Sequence, residues 1–197
     1  MGIRAFSRKN LVWPTRRTAS ALLKLAGLIW FSAKVWPCGH KFPLNNNDRL
    51  WRLFRADDDL TWDVNLGWIP NPLSNALKMN PDLSTSWREH LARYHEAGPA
   101  DLLSSDARYS LVAEAAAKEL RDLQFGVRHS PDGGVGPFAC AHSSVDWPQG
   151  SITPPAREPT RDIRRALRYD LSRKFHFIYG PLPPPPDGYD PPTLRPE

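Results

Sequence analysis

Two short stretches of this 197-residue chain share one form, Cys38-Gly39-His40 and Cys140-Ala141-His142. Two thiolates and two imidazoles together satisfy a tetrahedral zinc. Along an extended strand, residues i and i+2 share a face but stand about 6.6 Å apart, so each pair reaches one ion only where the chain curls. The common zinc modules place two to four residues between paired cysteines, a spacing absent here. The expectation is a protein without a cofactor in which Cys140 is a small buried hydrophobe. Zinc held by Cys38, His40, Cys140 and His142 is the alternative. Two cysteines cannot build a disulfide scaffold; a reduced pair is expected, and one bridge is the other option.

A second set gathers around His129 and His142, with Arg128, Ser144 and Asp146 close in sequence. Imidazole beside carboxylate suits proton transfer near neutral pH. His142-Ser143-Ser144 also has the His-x-Ser form that phosphoesterases use in pairs. The second copy is missing, because His129-Ser130-Pro131 and His176-Phe177-Ile178 lack a hydroxyl at the third place. No nucleophile–base–orienter set and no phosphate-cradling loop can be read, so enzymatic activity stays open. His129, His142 and Asp146 are the catalytic candidates, set against plain hydrogen-bonded histidines at a sheet edge.

The third set is Arg161, Arg164, Arg165 and Arg168. At about 100° per residue they fall on one sector of a helix, away from Ile163, Leu167 and Leu171. Four arginines so placed can bind phosphates, with a steep dependence on salt. Asp162, Asp170 and the preceding Glu158 also allow a solvated, internally paired face.

Charge distribution narrows the partners. The net charge is +5, yet residues 1–47 hold eight Lys and Arg and no acid, so the remainder is mildly acidic. The basicity belongs to a leader, and attraction of the whole surface to phosphate does not follow. Within that leader Lys24 interrupts the apolar stretch Ala19–Trp36, which excludes a spanning helix of about 20 apolar residues. Four readings of residues 1–47 remain: an unpartnered extension, a transit peptide, an export signal with Arg16-Arg17 before Ala21-Leu22-Leu23, or a membrane-surface helix anchored by Trp30 and Trp36.

These sets need elements to hold them. Leu50–Phe54 reads as a short helix and Thr61–Ile69 as a strand with Trp62, Val64, Leu66 and Trp68 alternating. Ser86 and Glu89 fit a capping box for a helix that Gly98 ends. A second helix is expected over 106–124, with Tyr109, Val112, Ala116, Leu120 and Leu123 as its stripe. Phe125–His129 and Val135–Val145 read as a hairpin in which Phe125, Val127 and His129 share a face with His142, Cys140 and Phe138. A last helix spans Thr160 to about Phe175, capped by Thr160 and buried along Ile163, Leu167, Leu171 and Phe175. Asp57-Asp58-Asp59 reads as an acidic loop. From Pro181 onward the chain is too rich in proline to pack and reads as a polyproline II tail, with Leu182–Pro186 in the form of a ligand for aromatic-grooved modules. Tryptophans beyond residue 48 are assigned to the core.

The sequence therefore specifies an α+β domain over 48–180, three main helices on a small, mainly antiparallel sheet. A basic extension over 1–47 and a disordered proline-rich tail over 181–197 flank it. The expected role is that of a soluble, cytoplasmic interaction or regulatory protein touching nucleic acid, or an acidic protein surface, through Arg161–Arg168. The alternatives are a small hydrolase-like enzyme at His129 and His142, or a membrane-peripheral protein. Export or organelle targeting through 1–47 is the alternative location.

Overall fold

The computed structural model describes residues 41–80, 82–132, 136–151 and 158–187, all within the unit Pro37–Glu197. Eight strands are found among them: β1 (Arg49–Phe54), β2 (Leu60–Asp63), β3 (Gly67–Pro70), β4 (Leu83–Trp87), β5 (Leu111–Ala116), β6 (Gly126–His129), β7 (His142–Asp146) and β8 (His176–Tyr179). The helices are α1 (Arg88–His95), α2 (Pro99–Ser104), α3 (Ala117–Asp122), α4 (Pro137–Cys140) and α5 (Arg161–Ser172). Six strands form one antiparallel sheet in the order β6-β7-β4-β1-β5-β8, and β2 pairs with β3 alone. The chain is thus a mixed α+β protein with a mainly antiparallel sheet.

Both faces of that sheet are buried near its centre. On one, Leu50, Phe54, Leu83, Leu111 and Ala113 pack with Leu120 of α3 and Leu171 of α5. On the other, Trp51 and Val112 meet Leu91 of α1 and Leu102 of α2. A strand covered on both faces carries no polar alternation, so its apolar run looks the same as a short buried helix. This ambiguity explains two departures from expectation. Leu50–Phe54 is strand β1, not a helix. The helix expected over 106–124 is strand β5 followed by the short α3.

Among the described residues only α1 and α5 reach seven residues, at 8 and 12, so the expected three main helices are not found there. Ala113 and Ala115 are almost fully buried in β5. Small side chains let covering helices approach a central strand, and that packing overrides alanine's helical preference.

The hairpin register also differs. Val127 pairs with Val145, Arg128 with Ser144 and His129 with Ser143. Residues 137–140 form a turn of helix, with Pro137 at its start and the Cys140 and Ala141 amides bonded to the carbonyls of Gly136 and Pro137. Proline's fixed φ suits a first helical position and removes a ladder donor, so the second strand begins only at His142. His129 and His142 consequently lie on opposite faces, whereas the sequence put them on one. The expected strand Thr61–Ile69 is instead the hairpin of β2 and β3, in which Trp62 and Trp68 pair edge-to-face at 5.3 Å.

Cap chemistry departs from expectation as well. Trp87 is the N-cap of α1, and Glu89 accepts from the Arg49 amide at 2.9 Å rather than closing a box with Ser86. That helix ends at His95, where Glu96 takes φ 52°. Thr160 is the N-cap of α5 but makes no side-chain cap bond, and Ile163 is 42% exposed while Leu171 and Phe175 are buried. Asp59 of the acidic loop is buried and accepts from the Arg55 amide at 2.9 Å.

At the ends of the described chain, Leu44 is buried in the larger cluster and Phe42 packs against it. Beyond β8, Gly180 adopts φ +100°, and a Cβ there would lie 2.1 Å from the Ser110 carbonyl oxygen, so this turn requires glycine. Residues 181–186 form neither helix nor strand, and the Trp68 indole donates to the Pro183 carbonyl at 2.9 Å. Among the described residues no helix is long and apolar enough to cross a membrane. The membrane-surface, transit and export readings concern residues 1–47, of which 1–40, with Arg16, Arg17, Trp30 and Trp36, lie outside the described residues.

Candidate functional site

His129 and His142 sit almost side by side, since His129 pairs with Ser143 across β6 and β7. Their environments are opposite. His129 is buried, with Nδ1 3.1 Å from the Phe42 amide and Nε2 2.6 Å from the Cys140 carbonyl. An amide can only donate and a carbonyl can only accept, which fixes the tautomer: Nδ1 accepts and Nε2–H donates. The rings of Phe42, Trp87 and His90 surround it at 5.8, 5.2 and 5.0 Å. Burial holds this imidazole below the ordinary histidine pKa, against the opposing bond to Cys140 and helped by His142. Both nitrogens are spent on main chain, so His129 ties the 41–44 segment and the α4 turn to the sheet.

His142 faces the other side and is half-buried. Its Nδ1 lies 2.7 Å from the Ser130 carbonyl, so in the neutral ring Nδ1–H donates there and Nε2 accepts. The Ser84 hydroxyl stands 2.7 Å from that Nε2. Ser130 Oγ adds a contact at 3.1 Å to Nδ1 and one at 2.6 Å to Ser144 Oγ. Strand register makes this grouping: Ser84 pairs with Ser144 and Ser86 with His142, placing alternate hydroxyls of β4 beside the ring. Asp146, by contrast, is engaged by Arg128, whose Nε and Nη2 donate at 2.7 and 3.1 Å. That bond raises the Arg128 pKa. The catalytic candidates His129, His142 and Asp146 therefore do not form one constellation.

Beside Ser84 the sheet opens. The β1–β4 ladder holds two pairs, Leu50 with Trp87 and Trp51 with Ser86. Past them the Arg52 side chain fills the gap, donating from Nε to the Ala76 carbonyl at 2.9 Å and from Nη1 to the Ser84 carbonyl. Burial lowers its pKa to about 10, which still leaves it cationic at neutral pH. A cavity of about 180 Å³ lies against it, lined by Trp51, Leu53, Ser84, Ser86, Leu102 and Tyr109. Sequence reading missed Ser84, Ser130 and Arg52. The signal for Ser84 is the alternation Leu83-Ser84-Thr85-Ser86-Trp87, in which Leu83, Thr85 and Trp87 are buried and the serines are not.

The arginine set fares differently. Arg161, Arg164, Arg165 and Arg168 all border one cavity of about 570 Å³. Lys78 faces them, Leu73, Met79 and Trp147 supply apolar walls, and Glu158 is the one lining carboxylate among the described residues. The sequence expects a solvent-facing sector; Arg161 and Arg165 are exposed, Arg164 and Arg168 are half-buried, and the same sector forms one wall of the cavity. Arg164 pairs with Glu158, and Arg168 donates to the Ser74 carbonyl. Burial, then the neighbouring Arg164, lowers the Arg168 pKa. Its Nε is buried with no hydrogen-bond partner among the described residues. Arg161 and Arg165 form no ion pair among the described residues.

Of the four residues in the alternative zinc reading, Cys38 and His40 lie outside the described residues. Cys140 is buried and disulfide-bonded, so its sulfur is not held as a thiol, and both His142 nitrogens face serines. No group of three or more potential ligands gathers among the described residues. No family model, curated protein or solved structure matches the chain.

Proposed function

We propose that the protein is an interaction protein that binds a phosphate-bearing ligand, single-stranded nucleic acid in the first instance, in the cavity walled by α5. The observation that carries this is the convergence of five cationic side chains, Lys78 and four arginines, on one cavity against a single carboxylate. Asp162 and Asp170 share the helix but not the lining. The volume of about 570 Å³ suits a ligand of nucleotide size rather than a duplex face. Apolar walls from Leu73, Met79 and Trp147 give a base somewhere to rest while the arginines take the phosphates. Arg161 and Arg165, which form no ion pair among the described residues, can engage a ligand directly.

The test is fluorescence anisotropy of a labelled single-stranded oligonucleotide against full-length protein across a salt series. Binding should weaken linearly in log–log form, with a slope of about −0.7 per phosphate engaged. Arg161→Glu and Arg165→Glu, both at exposed positions, should each weaken binding at low salt by about tenfold, the order of one phosphate contact. Affinity unchanged in the double variant would move the binding elsewhere and end this reading.

A further inference from the structure

We propose that Ser84 and His142 form a nucleophile–base pair that hydrolyses short acyl esters, with the Ser130 carbonyl as the orienting group. An active serine needs three things: a base within hydrogen-bond reach, a third group fixing the base's tautomer, and room for a carbonyl beside the hydroxyl. All three are present. Ser84 Oγ lies 2.7 Å from His142 Nε2, and the Ser130 carbonyl lies 2.7 Å from Nδ1. That carbonyl plays the part a buried carboxylate plays in the better-known triads, holding Nδ1–H so that the Nε2 lone pair faces the hydroxyl. The cavity of about 180 Å³ beside Ser84 supplies the room, with Trp51, Leu53 and Leu102 as apolar walls and Arg52, Thr85 and Ser86 as polar ones. Its size admits a short acyl group and excludes a long chain. Arg52, bonded to the Ser84 carbonyl and lining the same cavity, brings a cation to the side on which an oxyanion would form.

The chemistry balances without a cofactor. Ser84 Oγ attacks the ester carbonyl carbon as its proton passes to His142 Nε2. The tetrahedral intermediate collapses, the C–O bond to the alcohol breaks, and Nε2–H protonates the departing alkoxide. Water then attacks the acyl-serine, giving its proton to Nε2, and Ser84 leaves by taking that proton back. Ser84 is exposed, so water reaches the acyl-enzyme. The competing reading is that Ser84 and His142 are a cross-strand pair that only ties β4 to β7.

The test uses the full chain with two probes, p-nitrophenyl acetate and an alkyl fluorophosphonate. Expected are steady release of p-nitrophenolate and a single phosphonyl adduct, formed with loss of fluoride and mapping to Ser84. Ser84→Ala and His142→Ala should each lower the esterase rate by about 10²-fold or more and abolish labelling. Ser84→Ala removes one exposed hydroxyl, so an unchanged melting curve secures its reading should His142→Ala fail to fold. A parent rate equal to that of Ser84→Ala, or an adduct on another residue, would overturn the proposal. Arg161→Glu/Arg165→Glu should leave this rate untouched, keeping it distinct from binding at the arginine cavity.

Discussion

His129 and His142 share a hairpin and differ in nearly everything that decides what an imidazole can do. One is buried with a main-chain partner on each nitrogen, an amide at 3.1 Å and a carbonyl at 2.6 Å. The other is half-buried, with a carbonyl on one side and a serine hydroxyl on the other, each at 2.7 Å. A ring bonded to main chain on both sides has no proton to exchange with a ligand. A ring oriented by a carbonyl and facing a hydroxyl does. The type of partner, more than histidine itself or its place in the strand, separates a tie from a base.

The sharpest way to break this comparison is to remove the buried ring. His129→Ala strands the Phe42 amide and the Cys140 carbonyl and opens a hole among Phe42, Trp87 and His90. Unpaired buried polar groups together with a cavity cost about 2–4 kcal/mol. Calorimetry should show a melting temperature lower by about 5–15 °C. A drop of only a degree or two would mean that water reaches these groups and that His129 is no tie.

Acid acts on the same ring more gently. Burial sets its folded pKa below the ordinary histidine value of about 6.5, so between the two values the unfolded chain binds the extra proton. Stability from this ring is full above pH 6.5 and falls as the pH drops below it, by at most about 1.4 kcal/mol per pH unit. The structural cause is plain: a protonated Nδ1 would point a hydrogen at the Phe42 amide that now donates to it. Denaturant midpoints at pH 7 and pH 5 should differ more for the parent than for His129→Gln, whose amide does not titrate. Equal shifts in both would assign the acid sensitivity to other groups.

How far the sequence disclosed this arrangement depended on which elements are buried on one face and which on two. The amphipathic α5 and its arginines were legible because one side of that helix meets the core, and the helical period survives in the sequence. β1, with Arg49 and Arg52 among Leu50, Trp51, Leu53 and Phe54, and the alanine-rich β5 bury residues on both faces and show no apolar–polar alternation, so period does not separate them from helix. Pro137 opening a helical turn shortened β7, and the shift carried His129 to the face opposite His142. The Ser84–His142 contact was unreadable for a different reason: 58 residues separate its partners, and only the β4–β7 register brings them together. Likewise, that the arginine sector walls a cavity depends on Lys78 and Trp147, which arrive from other parts of the fold.

The smallest expected effect completes the comparison. His142→Ala removes a half-buried ring whose partners, the Ser84 hydroxyl and the Ser130 carbonyl, can turn to water once it is gone. A surface hydrogen bond exchanged for water contributes under about 1 kcal/mol, so the denaturant midpoint should move little beside that of His129→Ala. If the two variants lose stability equally, His142 is a second tie between strands, and its geometry toward Ser84 serves the fold. If His142→Ala melts close to the parent while losing the esterase rate, the hydrogen bond to Ser84 is kept for its chemistry, because the fold does not need it.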